Sequence, residues 1–242
     1  MMMEITPIAF IRNAYTGKFG VPRQSGLAPA VLSDIVFEAP YGNPDALRGL
    51  EGFSHLWLIW GFSKVPKDAP FSPTVRPPRL GGNTRVGVFA TRSPFRPNRL
   101  GLSAVKIEAI ILTGPEGPRL RVSGADLMSG TPIYDIKPYL PYADSIPGAR
   151  GGFASTARAL LRVECPEETW AGVPEELRDG LRDALAQDPR PSYQQDPERV
   201  YGMSFGGLNV RFRVENETAV IVAVEKGNFT SAADEKLFPT GE

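Results

Sequence analysis

The chain is poor in the residues that build disulfides and metal sites. Its 242 residues include one cysteine, Cys165, and one histidine, His55. A single cysteine excludes an internal disulfide, and a single histidine excludes a metal site made of several histidines. We therefore predict no metal, and His55 is left as the one candidate for histidine base chemistry.

Long apolar runs are also missing. The longest, residues 56–62, falls far short of the ~20 residues that a membrane helix needs. The first ten residues show no basic segment followed by an apolar core, so they do not resemble a signal peptide. These patterns predict a cytoplasmic protein without a membrane partner.

Acidic residues are absent from residues 70–107, although the whole chain balances 27 basic against 27 acidic residues. Pro94 and Pro97 exclude a helix there, so the arginines between them and around them lie on a shaped loop. Guanidinium groups bind phosphates, carboxylates and base edges. The alternative is a solvated basic loop without a ligand. The basic residues of this stretch are Arg76, Arg79, Arg85, Arg92, Arg96, Arg99 and Lys106.

Hydrophobic patterning predicts a strand-rich first part. About seven short strands and almost no helix favour a barrel or sandwich, and a barrel is preferred because it leaves no open edge. Residues 13–29 are rich in glycine, proline and polar residues and predict a long loop, on which Arg23 and Gln24 could face a ligand. The predicted strands are residues 4–12, 30–38, 53–62, 84–92, 100–112, 119–124 and 133–136.

Composition shifts to Gly, Ser, Ala and Pro near residues 143–154, which is typical of a linker. Residues 174–187 carry leucines at helical spacing, and three strands at 200–205, 208–214 and 218–224 predict a small antiparallel sheet. Arg211 and Arg213 alternate with apolar residues, so they share one face of a strand. That face is either solvated surface or a platform that binds phosphates. We predict a mainly β protein: a barrel domain (1–143), a linker (144–157), a small α+β domain (158–226) and a tail (227–242).

General nucleotide motifs are missing. No GxGxxG follows a strand, so a Rossmann dinucleotide site is unsupported, and the absence of GxxxxGK[ST] removes the usual handle for nucleotide hydrolysis. The residues alone indicate a strand-rich domain with a basic, ligand-sized loop system.

Four long segments resemble a known family. PYGNPDALRGLEGFSHLWLI, TVRPPRLGGNTRVGVFATRSPFRPNRLGLS, GTPIYDIKPYLPYADS and AQDPRPSY are similar to the TrmO (TsaA-like) family of bacterial tRNA methyltransferases. The resemblance implies S-adenosylmethionine bound by a β-barrel and not by a Rossmann sheet. It implies methylation of N6 of N6-threonylcarbamoyladenosine immediately 3′ of the anticodon, position 37, in tRNA. It also implies a homodimer.

The resemblance also assigns residues. Many relatives have His-Gln where this chain has Ser63 and Lys64, and proline where it has Arg99. The implied cofactor site comprises Pro22, Arg23, Gln24, Ser25, Ser63, Lys64, Arg92, Leu102, Asp126, Leu127, Met128, Ser129, Gly130 and Thr131. The predicted substrate-binding residues, which include members of the DPRPSY motif, are Arg96, Asn98, Arg99, Asp188, Arg190, Tyr193, Arg211 and Arg213.

The catalytic residues remain open. Methyl transfer from a sulfonium requires no metal, and a base that removes the N6 proton would help; Asp126, Tyr134 and Asp135 are chemically able candidates. The alternative class is a non-catalytic RNA-binding or S-adenosylmethionine-sensing module, in which Arg92, Arg96 and Arg99 contact phosphates only. A hydrolase that uses His55 is a third class, disfavoured because His55 lies in an apolar run.

Overall fold

The computed structural model describes residues 4–66, 70–191 and 196–227, and a closed six-stranded barrel forms its first part. The mainly β class with an N-terminal barrel is thus confirmed. The elements are β1 (Ala9–Asn13), β2 (Leu32–Phe37), β3 (His55–Gly61), β4 (Thr74–Val75), β5 (Val86–Gly87), β6 (Leu100–Ile111), β7 (Arg119–Ser123), β8 (Pro132–Pro138) and α1 (Pro141–Asp144). Around the barrel the order is β1-β2-β7-β6-β3-β8, with every neighbouring pair antiparallel.

Strand β3 shows why the barrel closes tightly. Alternate side chains, those of Leu56, Leu58 and Trp60, are buried, as a period of two requires for a strand with one face on the core. The Trp60 ring fills the space beside Gly101 of β6, where a Cβ atom would lie 2.2 Å from the indole. Gly101 is therefore required for this close approach, and Trp60 closes one end of the barrel core.

Residues 62–99 leave the barrel between β3 and β6. We predicted a strand over residues 84–92, and this prediction is wrong for most of the segment: β5 has two residues and Val88–Ala90 forms a 3-10 turn. Pro77 and Pro78 come one residue after the end of β4, and its pairing with β5 is limited to two residue pairs. The Thr91 hydroxyl then donates to the Val88 carbonyl at 2.7 Å and fixes the turn.

The C-terminal part is a four-stranded sheet with one long helix against it. Its elements are β9 (Arg162–Glu164), α2 (Glu167–Trp170), α3 (Glu175–Ala186), β10 (Tyr201–Phe205), β11 (Leu208–Glu215) and β12 (Thr218–Lys226), and the strand order is β10-β11-β12-β9. The antiparallel sheet predicted for residues 200–224 is confirmed as β10, β11 and β12, and β9 extends it by pairing in parallel with β12. The intervening α2, α3 and the β10–β11 hairpin form the crossover that a parallel pair needs.

The long loop between β1 and β2, residues 14–31, joins the two parts. We call it the first loop. Its buried residues Tyr15, Ala28 and Val31 belong to one apolar cluster with Leu181 of α3 and Phe205 of β10. The loop therefore packs in the core of the C-terminal part although its two ends are barrel strands, and burial of its apolar side chains fixes its path.

Two kinds of feature are absent from residues 4–66, 70–191 and 196–227: a membrane-spanning helix and a metal-binding cluster of side chains. In the part of the chain that the structure describes, no helix combines the length and apolarity needed to cross a membrane. The same residues contain no group of three or more His, Cys, Asp or Glu side chains arranged to hold a metal ion.

Candidate functional site

The segment of residues 126–131, which connects β7 to β8, is fastened to the start of the first loop. The Ser129 amide donates to the Tyr15 carbonyl at 2.8 Å, and the Gly130 amide donates to the Ile11 carbonyl at 2.8 Å. The Asn13 side-chain amide donates to the Leu127 carbonyl at 3.0 Å. These bonds hold the 126–131 segment against the first loop.

Asp126 is the electrostatic centre of this region. The Trp60 indole donates to the Ser103 hydroxyl at 2.9 Å, and that hydroxyl donates to the Asp126 carboxylate at 2.5 Å. Burial raises the pKa of Asp126 above its ordinary value, while the hydrogen bond from Ser103 and the charge of Arg92 partly offset the rise. The chain thus keeps a partly buried, desolvated carboxylate with a hydroxyl donor and a nearby guanidinium.

The arginines of the arginine loop, residues 91–99, contact two kinds of partner: a side chain of the first loop and nearby backbone carbonyls. Arg92 donates to the side-chain carbonyl of Gln24 on the first loop. Arg96 instead donates to the Thr91 carbonyl at 2.9 Å, and Arg99 to the Pro66 carbonyl at 2.6 Å. Arg96 and Arg99 therefore shape the loop and its neighbour, whereas Arg92 faces the first loop and Asp126.

The DPRPSY motif meets the first loop from the other side. Arg190 forms two hydrogen bonds to the Asp188 carboxylate, at 2.8 and 3.0 Å, and the Arg190 carbonyl accepts from Arg23 at 3.2 Å. Burial and the nearby charge of Arg158 lower the pKa of Arg23, and Asp188 partly offsets this. Arg23 is thus a cation whose charged form is disfavoured by its surroundings, as expected where an anionic ligand binds.

The Ser63-Lys64 turn also contacts the first loop, because the Lys18 ammonium donates to the Lys64 carbonyl at 3.0 Å. The first loop therefore touches the 63–64 turn, Arg92, the 126–131 segment and the DPRPSY motif. These four regions are distant in the chain, and the predicted cofactor residues gather around this one loop. Leu102 is set apart as an outward-facing, 55% exposed residue of β6.

Other predicted residues take different positions. Tyr134 packs on Gly61, where a Cβ atom would lie 2.7 Å from its ring, so it is near the 63–64 turn. Asp135 lines a cavity of about 380 Å³ with Tyr41 and Asn43, and its carboxylate pairs with Lys137 at 2.8 Å. The structure does not bring Asp135 to Asp126.

The predicted substrate residues are spread over the molecule. Asn98 is exposed, and its carbonyl accepts from the Leu100 amide at 2.7 Å. Arg211 and Arg213 lie on β11 with Arg211 exposed, and Arg213 approaches Glu215 at 3.7 Å. Tyr193 lies outside the described residues.

Two polar side chains at the site were missed by sequence reasoning. Ser103 ends the second of the four family-like segments but was given no role there, yet it donates to Asp126. The Tyr15 hydroxyl is buried and has no hydrogen-bond partner among the described residues. Burial raises the pKa of Tyr15, as do the charges of Asp183 and Asp126, so this phenol lies in the same electrostatic environment. The signal available for Asn13 and Tyr15 was their position at the start of the predicted loop, just after the predicted strand of residues 4–12.

Known proteins resemble this chain over nearly its whole length. It matches the tRNA-methyltransferase O N-terminal domain over residues 10–145 and the TrmO C-terminal domain over residues 156–227. The crystal structure of TrmO from Pseudomonas aeruginosa superposes with a TM-score of 0.75 at 35% identity, covering 94% of this chain and 98% of that one.

Two curated relatives are similar in sequence. The Escherichia coli (strain K12) protein named tRNA (adenine(37)-N6)-methyltransferase is 47% identical over 156 residues, 64% of this chain and 66% of its own length. A Pseudomonas aeruginosa relative, 45% identical over 168 residues, covers 69% of this chain and 70% of that protein, and its name contains the words S-adenosylmethionine-dependent methyltransferase. The alignments thus span about two thirds of these relatives, at 66% and 70%. Both domain matches and the full-length structural likeness show that the chain belongs to the TrmO family of tRNA methyltransferases.

Proposed function

We propose that the protein transfers a methyl group from S-adenosylmethionine to N6 of adenosine 37 of tRNA. The observation that carries the proposal is the partly buried, desolvated Asp126 carboxylate with Arg92 nearby, where the first loop meets the 126–131 segment. The names of the relatives support the reaction and the cofactor. The proposal also places the protein in the cytoplasm with tRNA.

The donors and acceptors present suit this cofactor. S-adenosylmethionine carries a carboxylate, an ammonium group, ribose hydroxyls and a positive sulfonium. Arg92 is an exposed cation that can pair with the carboxylate, while Asp126 forms no ion pair within the described residues and its charge is disfavoured by desolvation. A hydroxyl donor or a cation beside Asp126 would offset that penalty. Backbone groups of residues 22–25 and 126–131 are positioned by the first loop to complete the site.

When bound, S-adenosylmethionine supplies a methyl group on a sulfonium centre that departs as a neutral thioether. The N6 lone pair forms the new bond to carbon, and the electron pair of the broken bond remains on sulfur. The proton of N6 then needs an acceptor. Of the three sequence candidates, we assign this role to Asp126, because desolvation raises its pKa above the usual value of an aspartate and makes it a better proton acceptor, and because Asp135 lies beside a different cavity.

We further propose that the accepted nucleoside is N6-threonylcarbamoyladenosine. Its threonyl carboxylate requires a cation, and Arg23 is suitable because burial and Arg158 already disfavour an uncompensated positive charge there. A site that pairs this carboxylate should discriminate against plain adenosine, since the partly desolvated Arg23 would be left without that anion.

The substrate is tested with labelled S-adenosylmethionine and two preparations of the same tRNA, one carrying threonylcarbamoyladenosine and one transcribed without modification. We expect transfer to the modified tRNA alone, read by mass spectrometry of nucleosides. Equal methylation of both would contradict the choice of nucleoside. Cofactor binding with methylation of neither would instead favour a non-catalytic, cofactor-sensing module.

A homodimer is proposed from exposed apolar side chains. Tyr142 is 87% exposed, Ile146 72% and Leu102 55%, so these large apolar side chains are available for contact with a second copy. Burial against a second copy would remove this surface from water. Light scattering should give a dimer mass that falls to the monomer mass in a Leu102→Glu, Ile146→Glu variant.

A further inference from the structure

A second cavity is lined in part by residues of the arginine loop. Its volume is about 640 Å³, within the ~300–1,000 Å³ range of small-molecule sites. Thr91 and Ser93 line it, while Arg92 between them contacts Gln24 on the first loop. One stretch of backbone therefore separates this cavity from the proposed methyl-transfer site. Its full lining is Ser72, Thr74, Val75, Arg76, Pro77, Pro78, Arg85, Thr91, Ser93, Pro94 and Phe95.

The charge of the cavity is positive. Its lining includes Arg76 and Arg85, both exposed, and no acidic residue. None of the ion pairs found in the described ranges includes either arginine. Arg85 donates only a 3.2 Å hydrogen bond to the Thr74 hydroxyl within the lining. Two guanidinium groups are thus presented to solvent with no carboxylate paired to them among the residues that the structure describes, which suits phosphate groups.

The cavity also offers a flat apolar surface. Phe95 is 50% exposed although it lines the cavity, and Pro77, Pro78 and Pro94 add rigid apolar faces. Aromatic rings beside arginines are the combination that binds single-stranded nucleic acid, since bases stack on the ring and phosphates pair with guanidinium groups.

The walls of the cavity are fixed by internal hydrogen bonds. The Ser72 hydroxyl donates to the Thr74 carbonyl at 2.7 Å, and the Thr91 hydroxyl donates to the Val88 carbonyl at 2.7 Å. Arg96 donates to the Thr91 and Ser93 carbonyls from behind the wall, at 2.9 and 3.4 Å. A wall held in this way loses little conformational entropy when a ligand binds.

We propose that this cavity binds an unpaired nucleotide next to the methylated one, with its base stacked on Phe95 and its phosphates paired with Arg76 and Arg85. The proposal rests on the proposed function, because it assigns a second subsite on the same RNA. The proposal explains the absence of acidic residues from this stretch, because the RNA backbone would contact it. The RNA would cross the arginine loop, with the target base and its neighbour bound on opposite sides of the loop.

The charge arm of the test uses an Arg76→Ala, Arg85→Ala variant and an anticodon stem-loop RNA labelled with fluorophore. We expect about a tenfold loss of affinity, and a salt dependence reduced by roughly 0.7 to 0.9 per lost phosphate contact. Arg76→Lys, Arg85→Lys should retain most of the salt dependence. Arg48→Gln is the matched control, since this exposed arginine pairs with Asp45 elsewhere on the barrel.

The stacking arm compares Phe95→Ala, Phe95→Leu and Phe95→Trp. Stacking predicts that Ala and Leu both lower stem-loop affinity by about tenfold while Trp preserves it. Phe89→Ala is the control, because Phe89 is 74% exposed in the same segment but does not line the cavity. S-adenosylmethionine affinity, measured by calorimetry, should be unchanged in every variant.

The outcomes separate the two proposals. If the wild-type protein methylates tRNA but the cavity variants bind the stem-loop with unchanged affinity and salt dependence, the subsite is wrong and the proposed function stands. If Leu replaces Phe95 without loss while Phe95→Ala dissociates a dimer, the cavity is a contact between copies and not an RNA site. A wild-type protein that neither binds the stem-loop nor methylates tRNA overturns both.

Discussion

Asp126 and Asp135 are close in the chain but have opposite surroundings. Asp135 is partly exposed and neutralised by Lys137 at 2.8 Å. Asp126 is partly buried, accepts a hydrogen bond from Ser103, and has its pKa raised by desolvation. A paired surface carboxylate costs the fold little, whereas a desolvated carboxylate without an ion pair is costly. The comparison indicates that Asp126 is retained for binding or chemistry and that Asp135 is part of the surface.

The largest expected difference is in turnover. Asp126→Asn keeps the size of the side chain and an oxygen that accepts from Ser103, but it removes the proton acceptor. We expect kcat to fall by about 10²- to 10⁴-fold, as is typical for loss of a general base, and Asp135→Asn to change it less than about twofold. Single-turnover methyl transfer with saturating cofactor measures this.

The form of the loss distinguishes the two roles of Asp126. A base gives a wild-type rate that falls as the pH decreases through its pKa, and an Asn variant without that dependence. A raised KM for S-adenosylmethionine with unchanged kcat would mean that Asp126 only anchors the cofactor. Equal losses of kcat in Asp126→Asn and Asp135→Asn would contradict the distinction drawn between the two carboxylates.

A smaller difference, in S-adenosylmethionine affinity, is expected between variants of Arg92, near Asp126, and of Arg48, in the segment beside the cavity that Asp135 lines. Arg92→Ala should weaken S-adenosylmethionine binding by about tenfold or more, because one charge-assisted pair is lost. Arg48→Ala should leave the affinity unchanged, since Arg48 pairs with Asp45 in the segment beside the Asp135 cavity. Calorimetry with chelator present measures both. Unchanged affinity in the Arg92 variant would remove this residue from the cofactor site.

The smallest effect is on stability and depends on pH. Because the folded-state pKa of Asp126 is raised, the folded protein binds more protons than the unfolded chain between the unfolded pKa of about 3.9 and the folded value. The contribution of this group to stability is therefore lost as the pH rises through that window. Asp126→Asn should raise the unfolding temperature at pH 7 by a few degrees and have no such effect below the window.

Thermal melts across pH test this sign. Glu108 is the internal contrast, because hydrogen bonds from Ser123 and Lys106 lower its pKa. Its contribution is present above the unfolded pKa and is lost as the pH falls. If Asp126→Asn destabilises the protein at pH 7, the desolvated carboxylate has a compensating partner, and the contrast with Asp135 weakens.

Regular segments were predictable because local patterns decide them. Residues 174–187, with leucines at helical spacing, are α3, and the alternation in residues 208–214 is β11. Residues 84–92 were not predictable in this way. Their branched and aromatic residues favour a strand, but β4 offers only two residues for pairing. The parallel position of β9 was equally hidden, because strand direction depends on the crossover and not on the pattern of β9 itself.

The sequence by itself determined the composition of the site: one histidine, one cysteine, an acid-free stretch of arginines, and four segments that identify the family. Only the tertiary structure decided which acceptor or cavity each arginine side chain contacts. Arg96 and Arg99 are used by backbone carbonyls, Arg92 meets Gln24, and Arg76 and Arg85 line a cavity. The physical reason is that a guanidinium group pairs with the acceptor that folding brings within about 3 Å, and residue spacing along an irregular loop does not specify that acceptor.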